Sequence, residues 1–182
     1  MFDAHAHLTQ RPGTGSRISG WIVPGVDLAS EELAARLERE DPRIRSALGL
    51  HPWALPSTLD TLERELDELE RAVEARRPVA IGETGLDKGR RAGPMPLQRA
   101  AFRRQINLAT REKLPLVIHC VRSHGACLQT LEEEAYCGPQ VGAGMVHDFA
   151  GPVEMIGPWV QADFFLSISP RGLGRPDVLS AI

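Results

Sequence analysis

The chain has 182 residues, 42% hydrophobic and 25% charged, which fits one ordinary globular domain spanning 1–182 and excludes a disordered or collagen-like chain. Twenty-one Lys and Arg against 24 Asp and Glu give a net charge of −3, so the surface is not uniformly basic and any nucleic-acid contact must come from a local cluster of charge. No apolar run approaches the ~20 residues of a membrane helix, no secretory signal precedes His5, and three cysteines without a C-x-x-C pair point to a reducing cytoplasm.

In chain order, short apolar runs alternate with helical patterns. The first strand lies around Phe2-Asp3-Ala4, the second over Ser19 to Val23. A helix start follows at Ser30-Glu31-Glu32, with a hydroxyl cap and acids at the positive end of the dipole. Ile44 to Leu50 reads as the next strand. Ser57 and Asp60 fit a capping box for a helix in which Leu59, Leu62, Leu66, Leu69 and Val73 recur at helical spacing. Pro78 to Gly82 is a strand, Asp87 to Pro96 a Gly- and Arg-rich loop, and Leu97 to Lys113 a helix. Pro115 to Ile118, Gly144 to Val146 and Phe164 to Ile168 complete seven strand candidates. Alternating strands and helices, with strands apolar on both faces, predict an α/β fold with a parallel sheet.

The histidines carry the chemical information. His5 and His7 follow the first strand with period-two spacing, His51 follows Gly49-Leu50, His119 follows Val117-Ile118, and His147 follows Met145-Val146. Glu83 holds the same place after Ile81-Gly82. Any one of these alone is an ordinary polar or core residue. Five imidazoles and a carboxylate repeating one placement at C-terminal strand ends describe a catalytic rim with metal-ligand chemistry. His124, at the next helix start, is expected on the surface, and Cys120 in the core.

These residues also resemble the TatD family of metal-dependent hydrolases, amidohydrolase-like TIM barrels. The matching stretches are Phe2 to Leu8, Gly49 to Trp53, Ile81 to Asp87, Gln98 to Gln105, Leu114 to Arg122 and Val146 to Gly151, in family order over essentially the whole chain. The resemblance implies a (β/α)8 barrel, here incomplete, with about seven of its eight parallel strands present. It implies two divalent ions, zinc, magnesium, manganese or similar. His5 and His7 would hold one and His119 and His147 the other, with Glu83 bridging. Glu83 and His119 would be catalytic, and His51 and Arg122 would contact substrate phosphate.

Family members carry an aspartate at the end of strand eight that ligates metal and serves as general base. No counterpart is present: of the later aspartates, Asp163 and Asp177 do not end an apolar strand. The expectation is a chain truncated before strand eight and a poor nuclease by itself. Arg11, Arg17, Lys88, Arg90, Arg91, Arg122, Arg171 and Arg175 fall in the presumed rim loops, while acids such as Glu63, Glu65, Asp67, Glu68 and Glu70 fall in the outer helices. That segregation favours a polyanionic substrate, so the expected activity is phosphodiester hydrolysis, most simply of DNA. The alternatives are amide, ester or lactone hydrolysis, and a non-catalytic metal- or nucleic-acid-binding remnant. Oligomeric state is left open.

Overall fold

The computed structural model describes residues 1–13, 17–136 and 143–180. Arg171's side chain and the last two residues lie outside what is described. Seven parallel strands form one sheet in sequence order: β1 (Phe2–Asp3), β2 (Gly20–Pro24), β3 (Ile44–Leu48), β4 (Ala80–Asp87), β5 (Leu116–Val121), β6 (Gly144–His147) and β7 (Phe164–Leu166). Between them run α1 (Leu28–Glu40), α2 (Leu59–Arg76), α3 (Met95–Glu112), α4 (His124–Glu133) and α5 (Ile156–Gln161), followed after β7 by the short α6 (Pro170–Leu173) and α7 (Pro176–Leu179). This is the incomplete barrel anticipated from the sequence, with β1 and β7 at its two edges among the described residues.

Helix starts differ locally from expectation. Asp27, not Ser30, caps α1: its carboxylate accepts from Ser30 N at 2.9 Å, and Ser30 Oγ accepts from Asp27 N at 2.9 Å. This reciprocal box satisfies two otherwise orphaned donors, which favours a start three residues earlier. Thr58 rather than Ser57 caps α2, accepting from Thr61 N.

The main core lies between the sheet and its helices and is built on Leu48, Ile81, Phe102, Ile106, Ile118 and Trp159. On the sheet's other face, Ala47, Ala80 and Val117 form a smaller cluster with Ile22 and Met145 against it. Arg104 of α3 ties that helix to α2 through Glu63, Asp67 and Glu70. The acids expected on an outer helix are therefore partly engaged in ion pairs.

β4 runs five residues beyond its expected end at Gly82. Its polar tail pairs with β5 through Thr84↔Ile118, Gly85↔His119, Leu86↔Cys120 and Asp87↔Val121, after a register shift between Ile81 and Thr84. The shift is bracketed by Gly82 (φ 148°) and Gly85 (φ 139°). A Cβ on Gly82 would lie 2.4 Å from Val117 O, and one on Gly85 2.2 Å from His119 O. Glycine is thus required on both sides of Glu83, where the irregularity re-aims its side chain.

Candidate metal centre

Side chains alternate faces along a strand, so each residue two beyond the small inner cluster returns to the same face. His119 follows Val117, His147 follows Met145, and the two histidines are register partners. Glu83 follows Ala80 by three because of the irregularity in β4. The floor of small and apolar side chains therefore carries a layer of imidazoles and one carboxylate.

Glu83 is the hub and is 1% exposed. Its Oε1 lies 3.4 Å from His5 Nε2 and 3.2 Å from His7 Nε2, and those two nitrogens are 3.1 Å apart. Its Oε2 lies 3.5 Å from His51 Nε2, 3.6 Å from His119 Nδ1 and 3.4 Å from His147 Nε2. Each carboxylate oxygen thus serves its own imidazole group. The His147 ring stacks on His5, with centroids 4.0 Å apart, and so links the two. Donor atoms bound tetrahedrally at zinc-like distances stand about 3.3 Å from one another, close to the first group's spacing.

The donor set fits a cation. Glu83 Oε1 and His119 Nδ1, one in each group, are buried without a hydrogen-bond partner, a costly condition that a cation bound by each group would relieve. His5–His7–Glu83 and His51–Glu83–His119 each bring their donors within 4.8 Å of one another. The second group has His51 in place of the His147 of the expected His119–His147–Glu83 set, although His147 Nε2 also lies 3.4 Å from Glu83 Oε2.

Electrostatics follow from this packing. Burial alone would raise the Glu83 carboxyl, but His119, His5, His51 and His7 outweigh it and hold the group far below the usual carboxylate range. Glu83 contact raises His7. Burial pulls His119 down, and Glu83 and Asp87 more than reverse that. Burial lowers His51, and burial together with His5 pushes His147 down to about 4.

Asp87 and Gln98 support the cluster from outside the expected ligand set. Asp87 Oδ2 lies 2.9 Å from His119 Nε2 and accepts from Trp53 Nε1 at 2.6 Å, while Asp87 Oδ1 accepts from Gly89 N. Gln98 anchors the Asp87 backbone, its Oε1 accepting from Asp87 N at 2.7 Å and its Nε2 donating to Asp87 O at 2.9 Å. Asp87 lies four residues beyond Glu83, so period-two alternation through the polar tail of β4 was the signal that could have placed it beside the site.

His51 is 1% exposed, and its Nδ1 accepts from Trp53 N at 3.0 Å. Arg122 is exposed and donates from Nη2 to Lys88 O at 2.8 Å, which joins the loops after β5 and β4. It lines a cleft of about 130 Å³ with His119, Cys120, His147 and Asp148. His124, expected on the surface, is 5% exposed: its Nδ1 accepts from Trp159 Nε1 at 3.1 Å, because α4 packs this first-turn residue against α5. Cys120 is buried as expected, with its Sγ 3.6 Å from that of Cys127. Of the rim cations, Arg11 and Arg175 pair with Asp41 and Asp177, while Lys88, Arg90, Arg91 and Arg122 are exposed. Among the described residues no helix is long and apolar enough to cross a membrane.

Comparison with known proteins agrees with this architecture. The family described as "TatD related DNase" matches residues 2–173. The uncharacterized metal-dependent hydrolase YabD of Bacillus subtilis is 29% identical, over 92% of this chain and 68% of its own length. A protein of Escherichia fergusonii named 3'-5' ssDNA/RNA exonuclease TatD is 27% identical, over 100% of this chain and 74% of its own. The crystal structure of YjjV, a TatD homologue from Escherichia coli K12, superposes with a TM-score of 0.73 at 26% identity, covering 91% of this chain and 66% of that one. With seven parallel strands in sequence order and a histidine–glutamate cluster on their rim, the chain belongs to the TatD family of metal-dependent hydrolases.

Proposed function

We propose that this protein hydrolyses phosphodiester bonds of nucleic acid, acting on DNA strand ends with two divalent ions as cofactor. The observation that carries the reading is the division of Glu83, one oxygen against His5 and His7 and the other against His51, His119 and His147. His5, His7 and Glu83 Oε1 would hold one ion, and His119, His147 and Glu83 Oε2 the other. Divalent ions bound there acidify water and polarise a phosphodiester.

The chain's own residues do the rest. Glu83 stays ionised because of its imidazole neighbours, so both of its oxygens remain acceptors. Asp87 fixes the ring orientation of His119, the usual task of a carboxylate behind a ligating histidine. His51, buried against Glu83 and His119, would contact substrate phosphate from within the cluster. Arg122 supplies a phosphate contact at the cleft mouth, and exposed Lys88, Arg90 and Arg91 add local positive charge to a net-acidic protein. The exonuclease name of the Escherichia fergusonii relative supports the same substrate class. A cytoplasmic location is part of this reading.

The test is single-stranded oligonucleotide cleavage with manganese or magnesium, against a chelator control and an aryl ester. Metal-dependent shortening of the oligonucleotide supports the proposal. Turnover of the ester alone would favour the amide, ester or lactone reading, and binding without turnover a non-catalytic one.

A further inference from the structure

Trp53 is 43% exposed, whereas the chain's other tryptophans, Trp21 and Trp159, are 3% and 0% exposed. A lone exposed aromatic is ordinary; one immobilised at the mouth of a reactive cluster is not. Two hydrogen bonds hold it and a third anchors its turn. Its indole N–H donates to Asp87 Oδ2 at 2.6 Å, its backbone N–H to His51 Nδ1 at 3.0 Å, and Gly93 N donates to Pro52 O at 2.9 Å, tying the turn to the loop after β4. Its ring centroid lies 4.9 Å from that of His51 and 5.5 Å from that of His119. The exposed Arg91 guanidinium sits over the indole, 5.4 Å from the centroid.

We infer that Trp53 and Arg91 form a nucleobase-stacking platform that receives the terminal base of a single strand while its phosphodiester lies at the Glu83–imidazole cluster. An ordered indole capped on one face by an exposed planar cation offers a base stacking on the guanidinium or on the indole surface left open, without choosing its sequence. The ring is already ordered by Asp87 and His51, so little freedom is lost on binding. The indole also shares Asp87 Oδ2 with His119, so the platform is joined by hydrogen bonds to the cluster it would feed. The inference deepens the phosphodiesterase proposal and rests on it, committing the substrate to one with an unpaired base next to the scissile bond.

The test compares two internally labelled oligothymidylates, one ending in a 3′ thymidine and one in a 3′ abasic residue. Binding is read by fluorescence anisotropy in chelator, so that nothing is cleaved, and tryptophan quenching is followed in parallel. Wild type should bind the base-ended strand tighter by roughly 5- to 150-fold, the value of one stacked base, with saturable quenching of the exposed indole. Trp53→Ala should erase that ratio. Trp53→Phe, which keeps an aromatic face but loses the bond to Asp87, should retain most of it. A purely structural role for Trp53 would lower both affinities together and leave the ratio intact. Equal binding of the two strands by wild type, or an intact ratio in Trp53→Ala, would overturn the platform. Adding manganese then separates the two claims: a protein that discriminates the base but cleaves neither strand keeps the platform and loses the phosphodiesterase reading.

Discussion

Asp87 Oδ2 stands 2.9 Å from His119 Nε2, on the side of the ring opposite the nitrogen that faces Glu83. His119 is thereby held with Nδ1 toward the cluster. Asp87→Ala should lower metal affinity by about 10–100-fold while the fold persists, measured by competition with a chromogenic chelator. Unchanged affinity would show that packing alone orients the ring.

Glycine at position 85 is a strict requirement of the β4–β5 contact, since a Cβ there would meet His119 O at 2.2 Å and the backbone sits at φ 139°. Gly85→Ala should cost at least about 2 kcal/mol in urea unfolding. It should also weaken metal binding, because relief of the clash displaces the His119 backbone. A variant as stable as wild type would mean that β4 can shift without cost.

Much of this site could be read from the sequence because its parts obey simple periodicities. His5 and His7 come two residues apart just after the first strand and both reach Glu83 Oε1, and His119 and His147 each end a recognisable apolar run. Asp87 and Trp53 were less legible. β4 ceases to be apolar at Glu83, so hydrophobic patterning ends the strand early, although β5 still pairs with it as far as Asp87. Trp53 lies in a turn, where no periodicity says which way a ring points. His124 was misplaced for a related reason: the sequence shows a polar residue at a helix start but not α5 covering it.

Acidification should expose the cost of burying His147. Its folded pKa is held at about 4, below the ordinary 6.5, so the unfolded chain takes up the proton first as pH falls. In metal-free protein the stability contributed by neutral His147 is therefore present above pH 6.5 and lost as pH drops toward 4. The loss is on the order of 3 kcal/mol. His147→Asn should flatten unfolding free energy against pH in that window. A slope identical to wild type would show that His147 is not desolvated as described.

Arg122 lines the cleft but lies outside the histidine–glutamate cluster, so phosphate recognition and metal retention should separate there. Arg122→Gln should reduce kcat/KM on oligonucleotides by roughly 10–100-fold, the worth of a charged hydrogen bond. Its metal content should match wild type by elemental analysis. Loss of metal together with activity would place Arg122 in the support of the cluster instead.

The central claim is that one carboxylate organises both ion sites, and the most direct measurement is metal stoichiometry in Glu83→Gln. Wild type dialysed against zinc or manganese should approach two equivalents per chain by inductively coupled plasma mass spectrometry. Glu83→Gln, similar in shape but without the charge, should lose both equivalents while its circular dichroism spectrum stays unchanged. Retention of two equivalents in a folded Glu83→Gln protein would contradict the account.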